Sequence, residues 1–197
     1  YLKKHTNNGM PFGFPPLTND EFNAIVGWLG QGAKGPSEKE QQELKAVPDE
    51  DQQKIENWEA ILNQPDPKQQ MTARYLYEHL FLAHLTFETN SGEFYDMVRS
   101  KTPPGEDIDI VATVRPYDDP QTNRVYYRLR KIYSTIVHKT HMVFAMGEAH
   151  YRRVQELFIA PEWVRPPHLI GYDALRSANP IDAFEQIPVR SRYQWML

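Results

Sequence analysis

The segment Tyr75-Leu76-Tyr77-Glu78-His79-Leu80-Phe81-Leu82-Ala83-His84-Leu85-Thr86-Phe87 constrains the fold of this chain more than any other. Wound as a helix it is apolar on nearly every side, and such a helix belongs in the middle of a core rather than on a surface. It predicts a central helix over 67–87 that other elements wrap. Arg74 and Glu78 stand four residues apart and can pair on one face of that helix. No apolar run approaches the roughly 20 residues that a membrane-spanning helix needs.

Three further helices precede it. Thr18 and Glu21 have the spacing of a capping box, and Phe22, Ile25, Val26 and Leu29 follow on one helical face that ends near Gly30 to Gly32. Ser37 and Glu40 repeat the box before a short, exposed helix reaching Lys45. Pro48-Asp49-Glu50 opens a third helix with Ile55, Trp58, Ile61 and Leu62 on its inner side. The second half changes character. Residues 108–114 and 124–132 are rich in β-branched and aromatic types and predict strands. Turn signals stand at Thr102-Pro103-Pro104-Gly105 and Tyr117-Asp118-Asp119-Pro120. Residues 134–143 are a candidate third strand and 147–159 a helix. Residues 161–197 read as proline-punctuated loop with a short helical turn near Ala183.

Composition narrows the class. The 197 residues carry a net charge of −4, which speaks against a nucleic-acid partner, since that would favour a basic face. Cysteine is absent, so no disulfide and no CxxCH haem-attachment motif exists within these residues. The chain starts at Tyr1, without a Met or a leader-like apolar segment, and ends on Trp195-Met196-Leu197. Both ends read as cuts in a longer polypeptide.

Gly9-Met10-Pro11, an apolar loop and the helix after Thr18 resemble the last third of a c-type cytochrome, where a Met-Pro loop supplies an axial thioether and a closing helix packs behind it. Met10 is thus either a haem-iron ligand or ordinary packing in an apolar loop; His5 is an alternative ligand. The expected class is α+β, mostly helical, with a small antiparallel sheet in the second half and a cytochrome-c-like helical N-terminal segment. The division expected is 1–35 for the tail of that segment and 36–197 for one compact helical and α+β unit.

Longer motifs are more specific. Met71-Thr72-Ala73-Arg74-Tyr75-Leu76-Tyr77-Glu78-His79 through Leu85, Val98-Arg99-Ser100-Lys101-Thr102-Pro103-Pro104-Gly105, and Arg115-Pro116-Tyr117-Asp118-Asp119-Pro120 resemble the unsaturated fatty acid cis/trans isomerases of Gram-negative bacteria. Val125-Tyr126-Tyr127-Arg128-Leu129, the run Thr135 to Met142 and Ser191-Arg192-Tyr193 continue the resemblance in order along the chain. It implies a periplasmic enzyme with haem c that converts cis double bonds of phospholipid acyl chains to trans, a membrane adaptation to stress. It also implies a peripheral membrane surface as partner, together with the rest of the same polypeptide. Because this chain lacks CxxCH, haem would not be attached covalently here, and the fragment alone is expected to be inactive. A non-catalytic electron-transfer or scaffold module built on a cytochrome-like remnant is the alternative.

His79, His84 and His141 are the candidate site residues. His79 and His84 are expected to be buried, either as satisfied core histidines or facing the chemistry. Five residues apart on a helix, they diverge by about 140° and cannot chelate one metal. On a strand His138 and His141 fall on opposite faces. Arg115 with Asp118 and Asp119 reads either as a catalytic constellation or, more simply, as an Asx-type turn pinned by its arginine. Arg128 and Arg130 share a strand face, either solvated or in contact with phosphate.

Overall fold

A computed structural model describes residues 16–134, 142–173 and 175–196. Two compact units are present, Tyr1–Leu44 and Lys45–Leu197. In the first, α1 (Asn19–Gly30) starts on the expected capping box: Glu21 N–H donates to Thr18 Oγ1 at 3.3 Å and Thr18 N–H to the Glu21 carboxylate at 2.7 Å. Ser37 and Glu40 repeat this geometry at the head of α2 (Glu38–Lys45). The apolar face of α1 is present but none of its residues is buried.

In the second unit, α3 (Asp49–Leu62) and α4 (Pro67–Leu80) are joined by a turn in which Asp66 accepts from Lys68 and Gln69 N–H and Pro67 occupies the first helical turn. Every residue from Met71 to Tyr77 is buried, and Leu80 with them, so α4 is the central helix the sequence predicts. It is shorter than predicted. The chain leaves the helix at Phe81-Leu82 and continues as strand β1 (Ala83–Thr86), whose residues alternate between buried and half-buried. The expectation of one helix over 67–87 is therefore corrected. Ala83, Leu85 and Phe87 bury themselves at a period of two, and the backbone of β1 is satisfied by strands on both sides.

The sheet has the order β3-β2-β1-β4, with β2 at Tyr95–Ser100, β3 at Tyr126–Lys131 and β4 at Met142–Ala145. The α+β class stands, and the sheet is mixed. β2 pairs antiparallel with both β1 and β3, while β4 runs parallel to β1 with Ala83 opposite Met142 and His84 opposite Val143. β3 and β4 stand at the two ends of the strand order. Residues 108–114 form no strand; they touch β2 through a bridge between Ser100 and Ile110, flanked by Lys101 N–H to Asp109 O and Val111 N–H to Arg99 O. The part of the third-strand expectation at 135–141 lies outside the described residues.

β3 is an edge strand, and α3 closes it. Asn63 accepts from Tyr127 N–H and donates to Tyr127 O, both at 2.8 Å, and Glu59 accepts from Leu129 N–H at 2.8 Å. Side chains of a helix thus occupy the outward backbone groups that would otherwise invite another strand. After β4, α5 (Glu148–Val154) runs into a π-helical turn, Gln155–Ile159, where the Leu157 carbonyl accepts from Ser191 Oγ at 2.6 Å. The short α6 (Pro180–Ala183) lies where a helical turn is expected, and α7 (Val189–Gln194) adds one that is not. The core gathers Trp58, Leu62, Met71, Leu76, Leu80, Leu85, Phe158, Phe184 and Trp195. Among the described residues no helix is long and apolar enough to cross a membrane.

Candidate functional site

α4 carries chemistry on two sides. Tyr75 and His79, four residues apart, share one of them. His79 Nδ1–H donates to the Tyr75 carbonyl at 2.7 Å, and the two rings lie 4.0 Å apart. This bond fixes the ring and its tautomer and leaves Nε2 as the outward nitrogen. Against expectation His79 is exposed, because the last turn of α4 reaches the edge of the core. Trp195 and Phe184 stand 6.2 Å from its ring, and Phe144 of β4 touches Trp195 at 5.5 Å and His150 at 4.8 Å.

An exposed apolar rim adjoins these residues along the chain: Leu82, Met142, Tyr193 and Met196. Leu82 precedes Ala83, which sits opposite Met142 in the parallel pair of β1 and β4, whereas Val143, exposed as well, faces the other side of the sheet. Exposed apolar side chains grouped in this way mark a surface for lipid, ligand or partner rather than ordinary solvent-facing structure.

His84 is half-buried on β1, not buried on a helix, so the expected burial is corrected for both histidines. The two belong to different elements, and their helical angle no longer applies. Met10 and His141, with His5 and His138, lie outside the described residues. Among the described residues no cluster of three or more histidine or acidic side chains has the arrangement of a metal site.

The other side of α4 holds a group that motif reading passed over. Arg74 Nε donates to Glu78 at 2.8 Å, the pair the sequence predicts, and Arg74 Nη1 donates to the Ile170 carbonyl at 2.8 Å. Its guanidinium stacks on Tyr172 at 4.5 Å. Arg99 of β2 approaches the rings of Tyr77 at 5.4 Å and Tyr172 at 5.7 Å, and Tyr77 contacts Tyr127 at 5.3 Å. Burial pushes the Glu78 carboxyl above its ordinary value, with Arg74 pulling it back. Burial likewise raises the Tyr77 and Tyr127 hydroxyls, which stay neutral. A cavity of about 480 Å³ opens beside this group.

Two other arginine readings resolve. Arg115 Nε and N–H both donate to Asp118 at 2.9 Å, while Asp119 accepts from Gln121 N–H at 2.7 Å, so the turn is pinned as expected. Its purpose is structural, because the Asp118 carbonyl accepts from Arg99 Nη1 at 2.9 Å. Arg128 and Arg130 form neither a solvated basic face nor a phosphate site. Arg128 is buried against Glu59 at 2.9 Å, and Arg130 pairs with Asp96.

A sequence model of a protein family described as fatty acid cis/trans isomerase matches residues 1–197. Comparison with curated proteins and with solved structures finds no match.

Proposed function

This chain belongs to the fatty acid cis/trans isomerase family, and we propose that it forms the acyl-chain-binding part of a periplasmic haem enzyme that converts cis double bonds of phospholipid acyl chains to trans. The observation that carries the isomerase part of this reading is the family match over residues 1–197. The activity class is that of an isomerase acting on fatty acids. In the finer reading, a membrane surface draws support from the exposed apolar residues near His79, while haem c and a role in adapting the bilayer to stress rest on the resemblance alone.

Rotation about a C=C bond demands a transient lowering of its π-bond order with no net redox change. Haem, when bound, supplies an iron that draws electron density from the alkene, and its covalent attachment would fall to cysteines elsewhere in the polypeptide. The described residues fit that group at one donor. His79 presents Nε2 outward from a ring held through Nδ1, the posture of a ligating imidazole. Met10, from its sequence context, is kept as a separate proposed haem-iron donor, and His84 and His141 are the other proposed catalytic residues. The remaining work belongs to packing. Leu82, Met142 and Met196 would offer an apolar bed for an acyl chain, with the packed rings of Tyr75, Phe144 and Trp195 nearby to exclude water. The same rim, set against a bilayer surface, admits a chain without a membrane span.

The test uses the full-length protein with liposomes of a cis-monounsaturated phospholipid, with trans acyl chains counted by gas chromatography. Wild type forms trans chains; His79→Gln loses most of that activity per folded, haem-loaded molecule and shifts the haem absorption spectrum. Absence of trans product from the wild type refutes the enzyme reading, and an unchanged His79→Gln variant removes His79 from the site.

A further inference from the structure

The side of α4 opposite the rim carries an imbalance of charge that the isomerase reading does not use. Arg74 is 7% exposed and Arg99 1% exposed, and both guanidiniums lie against the ring of Tyr172. Glu78 is the carboxylate that answers them, and Arg74 already holds it. Arg99 donates to neutral oxygens, the Asp118 carbonyl and Thr113 Oγ1, also meets the Tyr77 hydroxyl, and enters no ion pair among the described residues. Two buried cations against one carboxylate leave one positive charge without a partner, in a place where water cannot screen it. Proteins keep such a charge only where something compensates it.

The hydrogen-bond ledger points the same way. Arg74 Nη2 and Arg99 Nε are buried donors with no partner among the described residues. Arg74 and Tyr172 line the cavity of about 480 Å³, and Arg124 stands at its wall with Asn123. Among the described residues no aspartate or glutamate lines it, in a chain whose net charge is −4. Leu169 and Ile170 add apolar wall.

We propose that this cavity is a phosphate-binding site, in which Arg74 and Arg124 hold the anion and Arg99 supplies charge from behind. Guanidinium matches phosphate oxygens through a planar fork, and Arg74 has one arm of its fork unspent. Nη2 is buried, and the ring of Tyr172 stacks on the same guanidinium, so a shift of that ring is what admits a phosphate oxygen to Nη2 in this proposal. The phosphate comes either from a phospholipid headgroup or from free phosphate and its soluble esters. The site stands on its own charge balance, whichever reaction the chain serves.

Full-length protein is titrated by calorimetry with inorganic phosphate and, separately, with dihexanoylphosphatidylethanolamine below its micellar concentration. Saturable binding of either is expected. Lipid that binds and is displaced by phosphate identifies a headgroup site, and phosphate binding without lipid binding identifies a soluble ligand. Arg74→Lys keeps a cation for Glu78 but loses the fork, and should weaken binding about tenfold, as should the exposed Arg124→Ala. Arg115→Ala, whose arginine is spent on Asp118, should leave it unchanged. Phosphate should also raise the melting temperature of wild type and of Arg115→Ala more than that of Arg124→Ala. No saturable binding of either ligand, or equal binding in wild type and Arg124→Ala, overturns the proposal. Neither outcome bears on trans-acyl formation, which is measured separately.

Discussion

Asp51 offers the sharpest test of how the larger unit is held together. It lies in the first turn of α3 with 0% exposure and accepts three hydroxyls: Thr89 Oγ1 at 2.6 Å, Ser91 Oγ at 2.8 Å and Tyr95 Oη at 2.7 Å. These bonds tie α3 to the connection between β1 and β2 and to β2 itself. Hydrogen bonds to a charged group contribute about 1.5–3 kcal/mol each. Asp51→Asn retains an oxygen for Thr89 but turns an NH₂ group toward Ser91 and Tyr95, which donate to the other carboxylate oxygen. Two bonds are lost, about 3–6 kcal/mol before relief. Hydroxyl rotation and the cheaper burial of a neutral amide return part of this, so a net loss of about 2–4 kcal/mol is expected. For a unit of roughly 150 residues that lowers the melting temperature by about 5–15 °C. Thermal and urea unfolding, followed by far-ultraviolet circular dichroism, read it directly. Tyr95→Phe removes one of the same donors, so the double variant should lose less than the sum of the two single ones. A loss below about 1 kcal/mol in Asp51→Asn would refute the reasoning.

Glu59→Gln leaves Arg128 buried without its carboxylate and should cost about 3–5 kcal/mol in urea unfolding; Glu59→Leu with Arg128→Met should cost less, and equal losses would show that the orphaned charge is not the cause. Burial raises the hydroxyls of Tyr75, Tyr77 and Tyr127, and burial with the bond to Asp51 raises Tyr95. The folded chain therefore keeps protons that the unfolded chain releases above pH 10.0, and stability should fall as pH rises past that value. Phenolate absorbance for all 11 tyrosines appearing while circular dichroism remains native would contradict this.

What the sequence determined by itself is what neighbours along the chain decide. The capping boxes at Thr18 and Ser37, the Arg74–Glu78 pair, the turn at Arg115–Asp119 and the inner face of α3 all depend on contacts within four residues, and all are present. The family resemblance is legible for the same reason, since it resides in ordered runs of residues. The run from Tyr75 to Phe87 shows where local reading stops. Its first half has helical neighbours and its second half, Ala83-His84-Leu85-Thr86-Phe87, alternates apolar and polar, yet apolar density alone suits either state. Only β2 and β4, arriving from later in the chain, supply the backbone partners that make a strand there and move His84 off the helix. His79 is likewise exposed because α4 ends there, a boundary the sheet imposes. The cavity is tertiary throughout. Arg74, Arg99 and Tyr172 are each unremarkable in their own segments, and their charge becomes an imbalance only when folding brings the two guanidiniums onto one ring and removes the water that would have answered them.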